Sequence, residues 1–389
     1  MKRRIEADVK GMRVMLTEGS GRQALPMSEA LTRLGCAVVT VNASRLDPGY
    51  ASRYPREKLV VPGVDQDETL AREVFLRTIR DRGIDLVIPL SDFSARIMAE
   101  EKPRLEPLVQ VATADEATFM RAFDKAQTMR LCKEAGIPCP DTYDGAEAAA
   151  HPERIRYPVV VKPRSSWGSI GFHVAENPEE LRRALQQAER YGPALVQERL
   201  PGNSRQLNVQ MVMDAKQSVK TALVTEKCRW FPLDGGAATL CRTLRDPRAA
   251  EICAQLLRAM KWTGYCDVDM MVPPSDGIPR VIEVNGRISA NVKLCFLAGV
   301  DVARQILQQA QGLPVTFCPD YPEDVRLRCL HTDLLWLMKS PERFGGRPIW
   351  FSPRRTHDQM FSLRDPLPFA AFTVQALCKY RSAMRMRER

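Results

Sequence analysis

Histidine is scarce, at four in 389 residues, and no two form an HxxxH pair. The eleven cysteines are odd in number and scattered, and none forms a CxxC pair. These gaps argue against a zinc site or a disulfide framework and favour a reducing compartment, so a cytoplasmic protein is expected. No apolar run reaches the roughly 18 residues that suggest a membrane span. The basic start "MKRRIEADVK" has no apolar segment behind it, so no secretory signal is expected. Repeats and low-complexity tracts are missing. No convincing Ser/His/Asp or Cys/His nucleophile stands out. The net charge of +10 would suit anionic partners. Basic and aromatic residues do not interleave, however, so nucleic-acid binding is not expected.

Hydrophobic residues make up 44% and charged ones 27%, a globular composition, and 389 residues suffice for two or three domains. Up to about residue 110 strands and helices alternate: "RVMLT", a helix ending at Gly35, "CAVVTVNA", the helix "DETLAREVFLRTIRDRG" and "IDLVIPLSD". That order predicts a small parallel α/β domain. Its first loop, "EGSGRQ", lacks the full GxGxxG spacing and reads as a βα turn, with phosphate binding the lesser alternative. Two short helices follow within 113–135, stopped by Gly136 and Pro138.

The sharpest signal is "VIEVNGRIS", residues 281–289. Glu283, Asn285 and Arg287 recur every second residue, which in a strand puts a carboxylate, an amide and a guanidinium on one face. Ile282, Val284 and Ile288 would form the core face. Upstream, "YCDVDMMV" is separated from it by a segment containing Asp276-Gly277, a strong hairpin signal. Folding there sets Asp269 opposite Glu283 and Asp267 opposite Asn285. Opposed carboxylates call for a cation, a shared proton or full exposure. A hard cation such as Mg²⁺ fits the oxygen donors; an ordinary solvent-facing sheet fits the spacing equally. "VVVKPRSSWGSIGFHV" places Lys162 at the end of an apolar strand, before a loop of small residues suited to closing on phosphate. A flexible hairpin with a surface lysine is the alternative. Lys125 taken alone reads as a surface lysine, and "ALVQERLPG" as a strand exit able to offer backbone groups to an adenine.

Taken in order, these stretches resemble the ATP-grasp superfamily over roughly residues 12–312, with carboxylate–amine ligases and carbamoyl-phosphate synthase-like proteins as the nearest types. The resemblance implies an α/β (α+β) chain with four parts: a pre-ATP-grasp domain over 1–111, an ATP-grasp N-terminal lobe over 112–195, a C-terminal lobe over 196–312, and an extension over 313–389. It implies ATP and Mg²⁺ (or Mn²⁺) as cofactors. Lys125, Lys162, Ser166, Gly168, Ser169, Gln197, Glu198 and Leu200 would hold the nucleotide. Asp269, Glu283 and Asn285 would hold the metal, and Arg287 and Lys162 would serve catalysis. The implied activity is activation of a small-molecule carboxylate as an acyl-phosphate and its transfer to an amine, releasing ADP and phosphate. Carboxyphosphate chemistry and a non-catalytic nucleotide-binding protein are the alternatives. A homodimer is compatible with the resemblance. Gln206 and Asn208 stand where many relatives carry acids, which leaves the ribose contacts open.

The tail combines an apolar stretch in "DPLPFAAFTVQALCKY" with Arg381, Arg385, Arg387 and Arg389. A helix docked on the body is the favoured expectation. Peripheral contact with anionic lipid is the lesser one.

Overall fold

A computed structural model describes residues 9–165, 171–233, 236–345, 348–352 and 355–387, with side chains described up to residue 378. Three sheets organise it. The first is β1 (Arg13–Leu16), β2 (Ala37–Asn42), β3 (Glu57–Val60), β4 (Leu86–Ile88) and β5 (Gln110–Val111). All its pairs are parallel, in the order β3-β2-β1-β4-β5. Strands joined by helices are covered on both faces, so both faces must be apolar. Met15, Val39, Val41 and Val87 pack against Phe75 and Ile97 on one side. Val14, Leu16, Val38 and Leu86 share a core with Met27 and Leu31 on the other. That second core also takes in Ile288, Val300 and Ile306, which fastens this sheet to the later part of the chain.

The second sheet contains β6 (Thr142–Asp144), β7 (Val159–Pro163), β8 (His173–Ala175) and β9 (Ala194–Glu198), antiparallel in the order β6-β9-β7-β8. Val159, Val161, Ala194 and Val196 face a core closed by the helix Pro178–Ala188. Lys162 lies opposite Leu195, and Val160 opposite Gln197. Alternation therefore turns Lys162 and Gln197 to the face away from that core.

The third sheet has seven strands in the order β14-β13-β10-β11-β12-β15-β16. They are β10 (Arg205–Met213), β11 (Val219–Phe231), β12 (Ala237–Leu244), β13 (Gly264–Val272), β14 (Arg280–Asn285), β15 (Arg326–Arg328) and β16 (Thr356–Asp358). One face is apolar: Leu207, Val209, Val268, Met270, Val281 and Val284 bury against the helix Pro247–Met260 and Trp262. The opposite face is polar and carries the residues described below.

The sequence placed the main strands and most of the helices, including Leu330–Lys339, but not the helices Asp92–Leu105 and Val302–Ala310. It missed β3, β5, β6, β12, β15 and β16; of these, β6 pairs with β9 and β15 with β12, partners far away in the chain. One reading needs correction. The strand expected over 281–289 stops at Asn285, and a bulge lies opposite Asp269/Met270. The bulge leaves Ile282 half-buried and makes Val281 the core residue with Val284. Arg287 and Ile288 lie beyond the strand, Ile288 in the core shared with the parallel sheet.

The C-terminal helix, Leu367–Arg387, packs on the short helix Pro48–Ala51. His331 meets Phe369, Phe372 and the Thr373 hydroxyl (2.7 Å). Docking thus uses part of the apolar stretch, while Val374 and Leu377 stay exposed. The side chains of the terminal arginines lie outside the described residues. Among the described residues no helix is long and apolar enough to cross a membrane.

Candidate active site

The polar face of the seven-stranded sheet is set by register. Asp269 pairs with Glu283 and Asp267 with Asn285 across β13–β14, as the turn at Asp276-Gly277 predicts. Asn208 on β10 pairs with Asp269, so three strands turn oxygen-bearing side chains to one side. Asn208 Nδ2 donates to the Asp267 carboxylate and to Asp269 Oδ1 (3.2 Å). Asn285 Nδ2 reaches Asp269 Oδ2 at 3.5 Å.

Cations ring this cluster. Lys227 Nζ on β11 lies 3.2 Å from Asp269 Oδ1, and Lys125 Nζ 3.6 Å from Glu283 Oε2. Arg287, although past the strand end, returns to the cluster: Nη2 donates to Asn285 Oδ1 (3.1 Å) and Nη1 lies 3.8 Å from Asp267 Oδ2. Its Nε donates to Asp92 Oδ2 (3.3 Å), at the start of the helix that follows β4. Gly286 permits this turn, since a Cβ there would stand 2.6 Å from Trp262 and 3.1 Å from Phe119.

Burial separates the carboxylates. Desolvation and the neighbouring Asp269 charge push Asp267 up to about 7. Burial also works against Asp269, but Lys227 and Asn208 outweigh it and hold that carboxyl below its ordinary range. Burial works against the charge on Lys227 too, yet Asp269 and Glu283 hold it protonated. The Arg287 guanidinium is kept charged against its burial by Asp92 and Asp267.

Lys125 and Lys162 arrive from separate elements. Asp124 caps the helix Lys125–Glu134 and also receives Arg164 Nε (3.1 Å) and Nη2 (2.5 Å), from the residue just after β7. The Lys125 amide donates to the Arg164 carbonyl (3.0 Å). This clasp sets the start of one helix against the end of one strand, and both lysines are buried. Burial brings Lys162 down to about 8; Glu283 opposes that shift and Lys125 reinforces it.

The expected nucleotide residues are thus not all gathered in one place. Gln197 is buried with its amide on Thr142 Oγ1 (2.8 Å), and Glu198 accepts from the Asp141 amide (3.2 Å). Leu200 is buried at the exit of β9. Ser166, Gly168 and Ser169 lie outside the described residues. Sequence reasoning assigned no role to Lys227, Asp92 or Asp267, and considered Asn208 only for ribose. The two-residue period from Thr225 to Lys227 would have exposed Lys227. Nothing local marks Asp92.

Over the polar face lies a cavity of about 840 Å³. Its floor holds Asn208, Lys227, Asp267, Asp269, Glu283, Asn285 and Arg287. Its rim is formed by loops 20–23, 43–47 and 62–66 at the carboxyl edge of the parallel sheet, where α/β folds place ligands. The glycine loop is therefore more than a βα turn: it borders the cavity. Gly19 packs closely there: a Cβ would fall 1.7 Å from Asn42 Oδ1 and 3.3 Å from Gly49 Cα, so the Asn42 side chain would have to move.

Among the described residues no group of three or more His, Cys, Asp or Glu side chains forms a metal cluster. The expected set is two carboxylates and an amide, all-oxygen donors beside an Asn208 Oδ1 that is buried without a partner among the described residues. This fits Mg²⁺, which shares its remaining positions with phosphate and water.

An ATP-grasp domain model matches residues 122–291, so the chain contains an ATP-grasp domain. At 26% identity over 317 residues, the chain is similar to the N-terminal section of the carbamoyl phosphate synthase large chain of Methanopyrus kandleri. The match covers 76% of this chain and 53% of the relative, so the chain spans about half the length of that curated protein. Among solved structures it is similar to the biotin carboxylase domain dimer of Hydrogenobacter thermophilus 2-oxoglutarate carboxylase, in complex with MgADP and bicarbonate. That likeness has a TM-score of 0.68 and 18% identity and covers 81% of this chain and 73% of the other. It is also similar to the L-amino acid ligase of Bacillus licheniformis, with a TM-score of 0.62, 15% identity and coverage of 78% and 75%.

Proposed function

We propose that this protein is an ATP- and Mg²⁺-dependent ligase that activates a small carboxylate as an acyl-phosphate and joins it to an amine, releasing ADP and phosphate. The observation that carries this reading is the opposition of Asp269 to Glu283, with Asn285 beside them and Lys125, Lys227 and Arg287 converging on the same face. Opposed carboxylates fenced by cations are costly in an empty sheet and useful where phosphate and metal meet.

In this reading Lys125 and Lys162 hold the nucleotide phosphates. The resemblance assigns Ser166, Gly168 and Ser169 to the same phosphates, and Gln197, Glu198 and Leu200 to the base. Asp269, Glu283 and Asn285 hold Mg²⁺, which when bound offsets charge developing on phosphate oxygens. Arg287 steadies the transferred phosphoryl group, its direction set by Asp92 and Asn285. The substrate carboxylate forms a bond to the γ-phosphorus as the bond to ADP breaks. The amine then forms the C–N bond, and phosphate and a proton leave.

The Bacillus licheniformis neighbour is an L-amino acid ligase, and the Hydrogenobacter thermophilus neighbour was solved with MgADP and bicarbonate. Both chemistries enter one test. ADP release is measured over amino acids, other small carboxylates and bicarbonate, offered singly and in pairs, with mass spectrometry of the product. Release that depends on a carboxylate–amine pair and yields their amide supports the ligase. Release with bicarbonate alone redirects the reading to carboxyphosphate. No release with any combination sinks both. The domain limits at 111, 195 and 312 are proposed with this reading, as is a homodimer, which sedimentation tests.

A further inference from the structure

The cavity extends well beyond the carboxylate cluster, and its far side is made by a part of the chain outside the matched ATP-grasp residues. Phe372 and Gln375 of the C-terminal helix line it, together with Ser44, Asp47 and Asp65. We propose that this helix is the wall of the acceptor-amine end of the site, with Phe372 and Gln375 as specificity-determining residues. The inference rests on the ligase reading and deepens it.

Three sets of contacts hold the wall in place. Gln375 Nε2 donates to Asp47 Oδ1 (3.2 Å), while Asp47 Oδ2 accepts from the amides of Ala43 (2.8 Å) and Ser44 (3.1 Å). Asp365, buried just before the helix, accepts from Ser52 Oγ (2.5 Å) and the Arg53 amide. Gln359, also buried, accepts from Arg22 Nη1 (2.9 Å) and donates to the Ala290 carbonyl (2.5 Å). The segment thus ties the glycine loop, the 43–53 loop and the turn after Arg287 to one another around the cavity mouth. Helix and rim loops form one frame, so a substrate meeting the loops meets the helix.

The chemistry of the wall restricts what fits. Arg287 and Lys227 stand on the floor, where the acyl-phosphate would form, so the nucleophilic amine points there. Its distal group then meets the Phe372 ring and the hydrogen-bonding pair Gln375–Asp47. The acceptor class is a small amine whose distal part is partly apolar and ends in a hydrogen-bonding group. Phe372 limits its length.

The test follows ADP release with the twenty L-amino acids, in pairs and each with bicarbonate. It compares wild type, Phe372→Ala, Phe372→Leu and Gln375→Ala. The melting shift with Mg-ADP must equal that of wild type, which certifies folded variants. Phe372→Ala is expected to raise the acceptor KM about tenfold and to admit larger acceptors, as removal of apolar pocket surface does. Phe372→Leu, still apolar, should fall between the two. Gln375→Ala is expected to raise the acceptor KM by several-fold, while KM for ATP stays within about twofold. Wild-type release with unchanged acceptor KM and preference in both alanine variants overturns the wall and leaves the ligase standing. No release from wild type with any of these pairs, nor with the other small carboxylates of the ligase test, removes the ligase, and this inference falls with it.

Discussion

Two regions line the same cavity by opposite means. The β13–β14 hairpin positions its groups through register: fix the turn, and Asp267, Asp269, Glu283 and Asn285 fall into place at two-residue intervals. The segment 356–378 has no such rule. It reaches the cavity through contacts such as Asp365 to Ser52 and Gln375 to Asp47, across more than 300 residues of chain. The hairpin supplies charge density, and the tail supplies shape. A catalytic face can be specified locally because period and turn are local. A substrate wall is specified only once distant elements have docked.

The hairpin side can be broken hardest. Glu283→Gln and Asn285→Ala are each expected to reduce ADP release at least ~100-fold, the scale of losing one preorganised electrostatic group. Glu283→Gln should melt near wild type, because that side chain is partly exposed and outside the apolar core, whereas Asn285→Ala also removes the acceptor of Arg287 Nη2 and should cost about 1–3 kcal/mol without unfolding the chain. Steady-state ADP release and circular dichroism check this. Activity within about threefold of wild type would remove the residue from the metal site.

Asp92 sharpens the comparison, since it belongs to the parallel sheet's edge yet holds Arg287. Asp92→Asn keeps the shape and removes the charge. An approximately tenfold fall in kcat is expected, with ATP KM little changed and Asp92→Glu recovering most of the loss. Equal losses in Asn and Glu variants would mark a merely structural contact.

What was legible follows the same division. The pairing of Asp269 with Glu283 could be read because Asp276-Gly277 fixed the hairpin and alternation did the rest. Arg287 was legible as a residue but not in position, since the bulge at Met270 and the end of β14 at Asn285 are invisible in the two-residue pattern. Lys125 looked like a surface residue because its burial depends on Asp124 gripping Arg164, forty positions away. The glycine loop was undervalued because its spacing is irregular, while its place at the sheet edge comes from topology. The tail's proposed role was out of reach, since Gln375 and Asp365 find their partners, Asp47 and Ser52, at the two ends of the short helix Pro48–Ala51, more than 300 positions away, a contact that no local pattern announces.

The proposed phosphate side carries a pH signature. Lys162 sits at about 8 in the folded chain against an ordinary 10.5. Between those values the folded state binds fewer protons than the unfolded state, so this lysine's contribution to stability rises with pH across the window. In the proposed reading its hold on phosphate would change in the opposite sense, because the charge is lost as pH climbs through about 8. The dissociation constant for Mg-ADP should therefore increase several-fold between about pH 7 and 9, by calorimetry at fixed ionic strength. Lys162→Met should bind more weakly throughout and flatten the profile. A wild-type profile as flat as the mutant's would take Lys162 out of the phosphate site.

The smallest effect belongs to the tail's anchor. Asp365 is buried and accepts from Ser52 Oγ and the Arg53 amide. Removing the acceptor leaves a buried hydroxyl and an amide without their partner, at a cost of about 1–3 kcal/mol. Asp365→Ala should lower stability by that amount in urea unfolding. Asp365→Asn, whose Oδ1 still accepts, should lose less. The two variants also separate docking from chemistry. If segment 356–378 only shapes the far wall, the acceptor KM should rise modestly in Asp365→Ala while ATP KM and the Mg-ADP melting shift hold. Hydrogen exchange over residues 43–53 should quicken in step, since the contact that braces that loop is gone. Unchanged exchange there, with wild-type stability, would mean that the tail rests on the loop without supporting it. The contrast between hairpin and tail would then be one of presence against absence rather than of charge against shape.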